Sequence, residues 1–244
     1  MSRLIIAEAG ISHLGNMSLA KNLIHLAKWA GCDIWKTQLY DVDKVFPNKQ
    51  VMVQGRDWYE MVKRTQLTKE QTFQLAEWCK EEEIEFLASA FDVERLGWLE
   101  EIGVRRHKIA SRSITNEELF RAIGKTGKDV LVSLGMWSGA TTSLKAAPYM
   151  YNTGKTFYLY CISKYPTPLS ETKLLDVNFR RYSGFSDHTI GTEAAIVALA
   201  RGAQIIEKHF VTSRQVASPD TICSATPEEM KRLVDFARKL EEMG

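Results

Sequence analysis

Two histidines, two lysines and a set of hydroxyls stand at one kind of place along this chain, at or just inside the ends of short apolar runs. His188 closes Phe185-Ser186-Asp187-His188, and His209 closes Ile205-Ile206-Glu207-Lys208-His209. On two adjacent strand ends, these imidazoles come within reach of a single divalent ion, with Glu207 and Asp220 as oxygen donors or outer-shell partners. Such an incomplete shell leaves positions for water and substrate. A lone histidine more often hydrogen-bonds a neighbour and nothing more. It is the shared location at two strand ends that argues for a metal pair here.

Lys36 and Lys108 lie within apolar runs, flanked by Trp35 and Ile109. An ammonium there is costly without an anionic partner, so both read as functional rather than as solvated surface lysines. Ser89, Ser111, Ser133, Ser163 and Ser186 occupy equivalent strand-end places. Each serine by itself could be satisfying local backbone, but as a ring beside two lysines they suit an anionic ligand bearing phosphate and carboxylate. Glu8, His13, Gln38, Asp92, Tyr165, Asp187 and Lys208 complete the polar set. His13 fits either a substrate-facing or a turn-packing role. His25 and His107 read as surface or packing residues and the tryptophans as core. No GxGxxG, P-loop or GxSxG pattern occurs, which argues against the usual nucleotide folds and the hydrolase elbow.

Eight β-rich runs position these groups: Leu4–Ile11, Asp33–Leu39, Glu85–Phe91, His107–Ser111, Asp129–Gly135, Phe157–Ser163, Ser183–Asp187 and Gln204–Phe210. They alternate with helical stretches, the order that yields a parallel sheet covered by helices. Several are nearly continuous apolar runs, as strands buried on both faces must be. The expected fold is α/β, one (β/α)8 TIM barrel spanning residues 1–244 as a single domain, whose site lies at the C-terminal strand ends.

Helix signals agree with this. Ser18 is the expected start of a helix with Leu19, Leu23, Leu26, Ala27 and Ala30 on one face, stopped by Gly31. Thr68 with Gln71 forms a capping-box pattern, Thr115 or Asn116 caps the next helix, and Gly191 to Gly202 encloses an alanine-rich one. The last follows Thr226-Pro227, with Met230, Leu233, Val234, Ala237 and Leu240 at helical spacing. The stretch 40–66 exceeds a usual strand-to-helix loop, carries a helix signal over Asp57–Arg64 and is the expected lid.

Bulk properties exclude several classes. In 244 residues, 45% are apolar and 25% charged, as in an ordinary globular domain. The 32 Lys and Arg against 30 Asp and Glu leave a formal charge of +2 and no basic stripe for nucleic acid. No run approaches the ~20 apolar residues of a membrane span, and no export signal is evident. Cys32, Cys79, Cys161 and Cys223 form no CxxC pair and lie in or near apolar runs, consistent with reduced thiols in the cytoplasm.

Taken in order, IIAEAGISHLGN (5–16), WKTQLY (35–40), FLASAFD (86–92), KIAS (108–111), VSLGM (132–136), YCISKYPTP (160–168), GFSDHTIG (184–191), IIEKHF (205–210) and SPD (218–220) run through nearly the whole chain. This series resembles the sialic acid (N-acetylneuraminate) synthase family, enzymes that condense phosphoenolpyruvate with an N-acyl hexosamine or related sugar. By that resemblance, Lys108, Ser89, Ser111, Ser133, Ser163 and Ser186 would hold phosphoenolpyruvate, with Lys36 adding positive charge. His188 and His209 would bind Mn2+ or Mg2+. Glu8, Gln38, Tyr165 and Asp220 would contact the sugar, and Glu207 would serve as acid/base near the metal. The product would be a nonulosonic or related 2-keto-3-deoxy sugar acid, which makes the protein a transferase of carbohydrate biosynthesis.

The chain also departs from the family. After KIAS, Arg112 and Ser113 replace the usual glycine and acidic residue, so a carboxylate that touches the sugar is exchanged for a cation. Ala90 stands where proline is common, and Ser163 where some members have asparagine. Bacterial members continue into a small antifreeze-like domain that lends the partner subunit a sugar-binding arginine, whereas this sequence stops at the eighth helix. Arg112 is the expected substitute, and a homodimer would have to use the barrel itself. The competing readings are a pyruvate aldolase with Lys36 or Lys108 as Schiff base, and a catalytically lapsed barrel that binds sugar phosphate or serves as an assembly partner.

Overall fold

The computed structural model describes residues 3–137 and 154–243. The chain begins with β1 (Leu4–Gly10), α1 (Met17–Trp29) and β2 (Ile34–Leu39). A covering segment follows, made of α2 (Val42–Val45), the two-stranded hairpin β3 (Met52–Val53) and β4 (Arg56–Asp57), and α3 (Tyr59–Arg64). Next come α4 (Lys69–Glu81), β5 (Glu85–Ala90), α5 (Val93–Ile102), β6 (Arg106–Ile109), α6 (Glu117–Gly124) and β7 (Asp129–Ser133). The remainder is β8 (Thr156–Cys161), β9 (Gly184–Asp187), α7 (Glu193–Ala200), β10 (Ile205–His209) and α8 (Pro227–Glu242).

Eight parallel strands close in the order β1-β2-β5-β6-β7-β8-β9-β10, and β1 returns to β10 with Leu4 opposite Ile205 and Glu8 opposite His209. The expected TIM barrel is therefore present. Strand side chains alternate between the barrel interior and the helix layer. Trp35, Ile109, Val130, Val132, Phe185 and Ile206 pack outward into the large core shared with the helices. Ile6, Ile34, Leu87, Leu131, Leu159 and Ile205 form a separate buried cluster inside the barrel. Two residues further along the same strands stand Glu8, Lys36, Ser89, Ser133, Cys161 and Glu207. A polar layer thus sits directly on an apolar one. Burying each Ile or Leu contributes roughly 1.5–3 kcal/mol, which lets the lower layer offset the desolvation of the charges above it.

Capping follows the sequence with one change. The side chain of Asn16, not Ser18, accepts the Leu19 N–H at 3.1 Å and starts α1. Asn16 has the extended backbone a cap requires, whereas Ser18 already lies within the first turn. Capping boxes form at Thr68/Gln71 and Thr226/Glu229, and Asn116 caps α6. Trp35 is fully buried, but Trp29 at the end of α1 is 51% exposed.

The sixth repeat departs from the alternation. Between β8 and β9 the chain makes a short 3-10 turn at Leu169–Glu171 and no α-helix. Residues 138–153, in the connection from β7 to β8 where a helix was expected, lie outside the described residues.

The covering segment has its own small core of Ile11, Tyr40, Val42, Tyr59 and Val62. Tyr40 Oη anchors it by donating to the Val62 carbonyl at 2.8 Å, and a 2.6 Å bond joins Tyr59 Oη to Asp43. Only the helix within this segment was expected, and its strands are too short for alternation to show. Among the described residues no helix is long and apolar enough to cross a membrane. All four cysteines are free and buried.

Candidate active site

The polar layer is a chain of touching groups contributed by seven strands. Lys36 Nζ lies 2.8 Å from Glu8 Oε2, 3.5 Å from Glu207 Oε2 and 3.2 Å from Ser89 Oγ. Lys108 Nζ donates to Ser133 Oγ at 2.8 Å and to the Ile109 carbonyl at 3.2 Å, and it stands 3.6 Å from Glu207 Oε1. Ser186 Oγ donates to the same carboxylate at 3.0 Å, and Gln38 Nε2 donates to Glu8 at 3.2 Å.

The two lysines are not equivalent. Burial disfavours the charge on both, but Glu207 and Glu8 together overcome it at Lys36, whose pKa is raised. At Lys108 burial wins over Glu207, and the pKa is lowered. Burial alone would push Glu207 up, yet Lys108 and Lys36 hold it down at about 2. Two carboxylates therefore stand against Lys36, and its charge is already matched before any anion arrives.

Beside Lys108 the backbone opens a cradle. Gly135 N–H donates to Ser111 Oγ at 3.1 Å. A Cβ on Gly135 would fall 2.5 Å from Ser163 Oγ, 2.9 Å from Cys161 Sγ and 3.0 Å from Ser111 Oγ, so only glycine fits. Ser163 Oγ is buried without a hydrogen-bond partner among the described residues. An orphaned hydroxyl, a backbone N–H and a second hydroxyl around one hollow suit an anionic oxygen.

The histidines adjoin this cradle. Their ring centres are 5.5 Å apart, and Tyr165 stacks on His188 at 4.0 Å with its edge toward His209. His188 Nδ1 is bonded to the Ile162 carbonyl at 2.7 Å, which leaves Nε2 as the ring's ligating atom. His209 Nδ1 is buried with no hydrogen-bond partner among the described residues, although Asp220 Oδ2 lies 3.8 Å away. Burial lowers the His209 pKa to about 4, keeping it neutral as a metal ligand must be. Among the described residues no group of three or more His, Cys, Asp or Glu could hold an ion by itself. The two ring nitrogens are donors suited to a divalent ion, which His188 and His209 would hold together.

Above the pair opens a cavity of about 620 Å³, lined by Gln38, Tyr40, Arg112, Tyr165, His209 and Asp220 and by hairpin residues of the covering segment. Arg112 lies against Phe46 and Phe91, 4.7 and 5.5 Å from their ring centres.

Residues 23–244 match the NeuB family. The chain belongs to that family. It is 33% identical to an N,N'-diacetyllegionaminic acid synthase of Legionella pneumophila, over 99% of this chain and 73% of that protein. An uncharacterized protein of Methanocaldococcus jannaschii is 35% identical, over 98% of this chain and 71% of its own length. The crystal structure of an N-acetylneuraminic acid synthetase from Leptospira borgpetersenii superposes with a TM-score of 0.89 at 30% identity, covering 100% of this chain and 85% of that one.

In this NeuB-family barrel every strand-end residue singled out for a substrate or metal role lies in the polar layer, the cradle, the histidine pair or the cavity wall. Four others in the polar set, Lys208, Asp187, Asp92 and His13, do not. Lys208 and Asp187 point away from the barrel interior and pair at 3.0 Å with both side chains fully buried, joining β9 to β10. Period-two alternation makes this unavoidable once Glu207, His209, Ser186 and His188 face inward. Asp92 caps α5 through the Arg95 N–H at 2.9 Å. His107 Nε2 lies 2.9 Å from Glu100 and His25 bonds Glu82 at 3.2 Å, both by elements of the helix layer. His13 is buried and takes the Gly15 N–H at 3.1 Å, the turn-packing arrangement.

Sequence reasoning missed Gly135 and Cys161. Cys161 holds the β8 place in the polar layer, accepting from Ser111 at 3.4 Å and lying 3.8 Å from His188 Nδ1. The period-two count from Leu159 would have found it. Gly135 gave no such signal, because a glycine after a strand reads first as a turn.

Proposed function

We propose that the chain condenses phosphoenolpyruvate with an N-acylhexosamine-like aldose to give a nonulosonic or related 2-keto-3-deoxy sugar acid and inorganic phosphate. Carbon 3 of phosphoenolpyruvate bonds to the aldehyde carbon, whose oxygen becomes a hydroxyl. Water adds at carbon 2, and the C–O bond to phosphate breaks to leave the ketone. The observation that supports this most is the Lys108–Ser133 pair beside the Gly135 cradle, adjoining two imidazoles with open coordination.

In this reading Lys108, Ser89, Ser111, Ser133, Ser163, Ser186 and the Gly135 backbone hold the anionic groups of phosphoenolpyruvate. Lys36 fixes Glu8 and Glu207. Once phosphate draws Lys108 away, Glu207 loses a cationic neighbour and becomes basic enough to take the proton of the incoming water at its Oε1. Glu8, Gln38, Tyr165 and Asp220 orient the sugar. A divalent ion, Mn2+ or Mg2+, on His188 and His209 would polarise the aldehyde carbonyl when bound.

Release of inorganic phosphate from phosphoenolpyruvate, dependent on both an aldose and Mn2+ or Mg2+ and abolished by a chelator, is the expected result. Phosphoenolpyruvate binding without release for any aldose would assign the barrel to a non-catalytic role. The lowered pKa of Lys108 favours a second reading, a Schiff-base aldolase. A borohydride-trapped pyruvate adduct at Lys108 would establish that reading instead.

A further inference from the structure

We infer that Arg112 selects an acceptor bearing an anionic group, a phosphate ester or a carboxylate. This rests on the condensation proposed above and names the class of acceptor. Arg112 follows Ser111 on the 3-10 turn Ser111–Ser113 that leaves β6, so it rises from the cradle into the wall of the cavity. Phe46 comes from the covering segment and Phe91 from the end of β5, and the guanidinium lies against both rings.

The other arginines that make side-chain ion pairs show what Arg112 lacks. Arg95, Arg106, Arg121, Arg214 and Arg238 each close on a carboxylate. Arg112 has no such partner among the described residues, and the segment 138–153 outside them contains no Asp or Glu. The floor of the site cannot supply spare negative charge, because Glu8 and Glu207 are committed to the lysines.

A guanidinium stacked on rings has already lost much of its rotamer freedom, and its N–H edges remain free for a planar anion. A neutral sugar would leave those donors to water. A phosphate or carboxylate would receive charge-assisted bonds about twice as strong as neutral ones. Among the described residues the other charged side chain lining the cavity, Asp220, lies 3.8 Å from His209.

Isothermal titration of the full chain, saturated with phosphoenolpyruvate so that its own anion subsite is filled, compares mannose, mannose 6-phosphate and mannuronate. The expected result is that one anionic sugar binds at least about tenfold tighter than mannose. Arg112→Gln removes that preference, and Arg112→Lys keeps part of it. Preference for the 6-phosphate identifies a phosphate ester, and preference for mannuronate a carboxylate. Equal binding of neutral and anionic sugars, a preference that survives in Arg112→Gln, or no binding of any of the three would overturn the inference. Failure of phosphoenolpyruvate itself to bind would instead count against the condensation reading, and the sugar titrations without it would still decide the role of Arg112.

Discussion

Glu8 and Lys36 form a 2.8 Å ion pair inside the barrel, with both side chains only 3% exposed. Glu207, from the last barrel strand, completes a bridge that ties the first two strands to the end of the sheet. Breaking a buried pair on one side is costly because an uncompensated charge remains. Glu8→Ala is therefore expected to lower stability by roughly 3 kcal/mol, and Glu8→Ala/Lys36→Met by clearly less than the sum of Glu8→Ala and Lys36→Met. Urea unfolding of the four species checks this, and strict additivity would show that the pair is not coupled.

Gly135→Ala should abolish the cradle without unfolding the barrel. The new methyl would press on Ser163 Oγ at 2.5 Å, and Ser163 and Ser111 both line the cavity. Phosphoenolpyruvate affinity is expected to fall by about a hundredfold, equivalent to two lost charge-assisted hydrogen bonds. Adding Ser163→Ala removes the nearest clashing atom and should restore part of the affinity. Unchanged binding in Gly135→Ala would place the anion elsewhere.

His13 makes stability pH-dependent on the acid side. Burial lowers its pKa from 6.5 to about 4 in the folded protein. Between those values the unfolded chain binds more protons, so stability is fully present above about pH 6.5 and is lost as pH falls toward 4. The contribution is on the order of 3 kcal/mol. The slope of unfolding free energy between pH 4 and 6.5 should flatten in His13→Gln, relative to the parent protein. An unaltered slope would mean that the imidazole titrates normally.

The covering segment depends on Tyr40. Its hydroxyl donates to Val62 and meets Thr65 Oγ1 at 2.6 Å, holding the two ends of the segment together. Tyr40→Phe should cost about 1 kcal/mol and speed hydrogen exchange of amides 42–64 selectively. Faster exchange spread evenly over the barrel strands would show a global effect instead.

Much of the site was legible because a closed parallel barrel converts chain position into direction. Once Ile6, Ile34, Leu87, Leu131, Leu159 and Ile205 are recognised as inward, Glu8, Lys36, Ser89, Ser133 and Glu207 must line the next layer up. The same rule correctly separates His209 from Lys208. What was not legible depends on neighbours distant in sequence. The ring containing Cys161, the space that only Gly135 leaves, and the rings of Phe46 and Phe91 beside Arg112 each join different repeats.

The amino-acid sequence by itself determined the eightfold alternation of strands, most helix caps and the identity of the polar strand ends, since local periodicity and backbone chemistry suffice for those. Only the tertiary structure decided how the charges are shared. Closure of β1 onto β10 brings Glu207 between Lys36 and Lys108, so that one lysine is neutralised by carboxylates while the other loses to burial. Electrostatic partnership depends on distance and dielectric, and neither exists until the barrel closes.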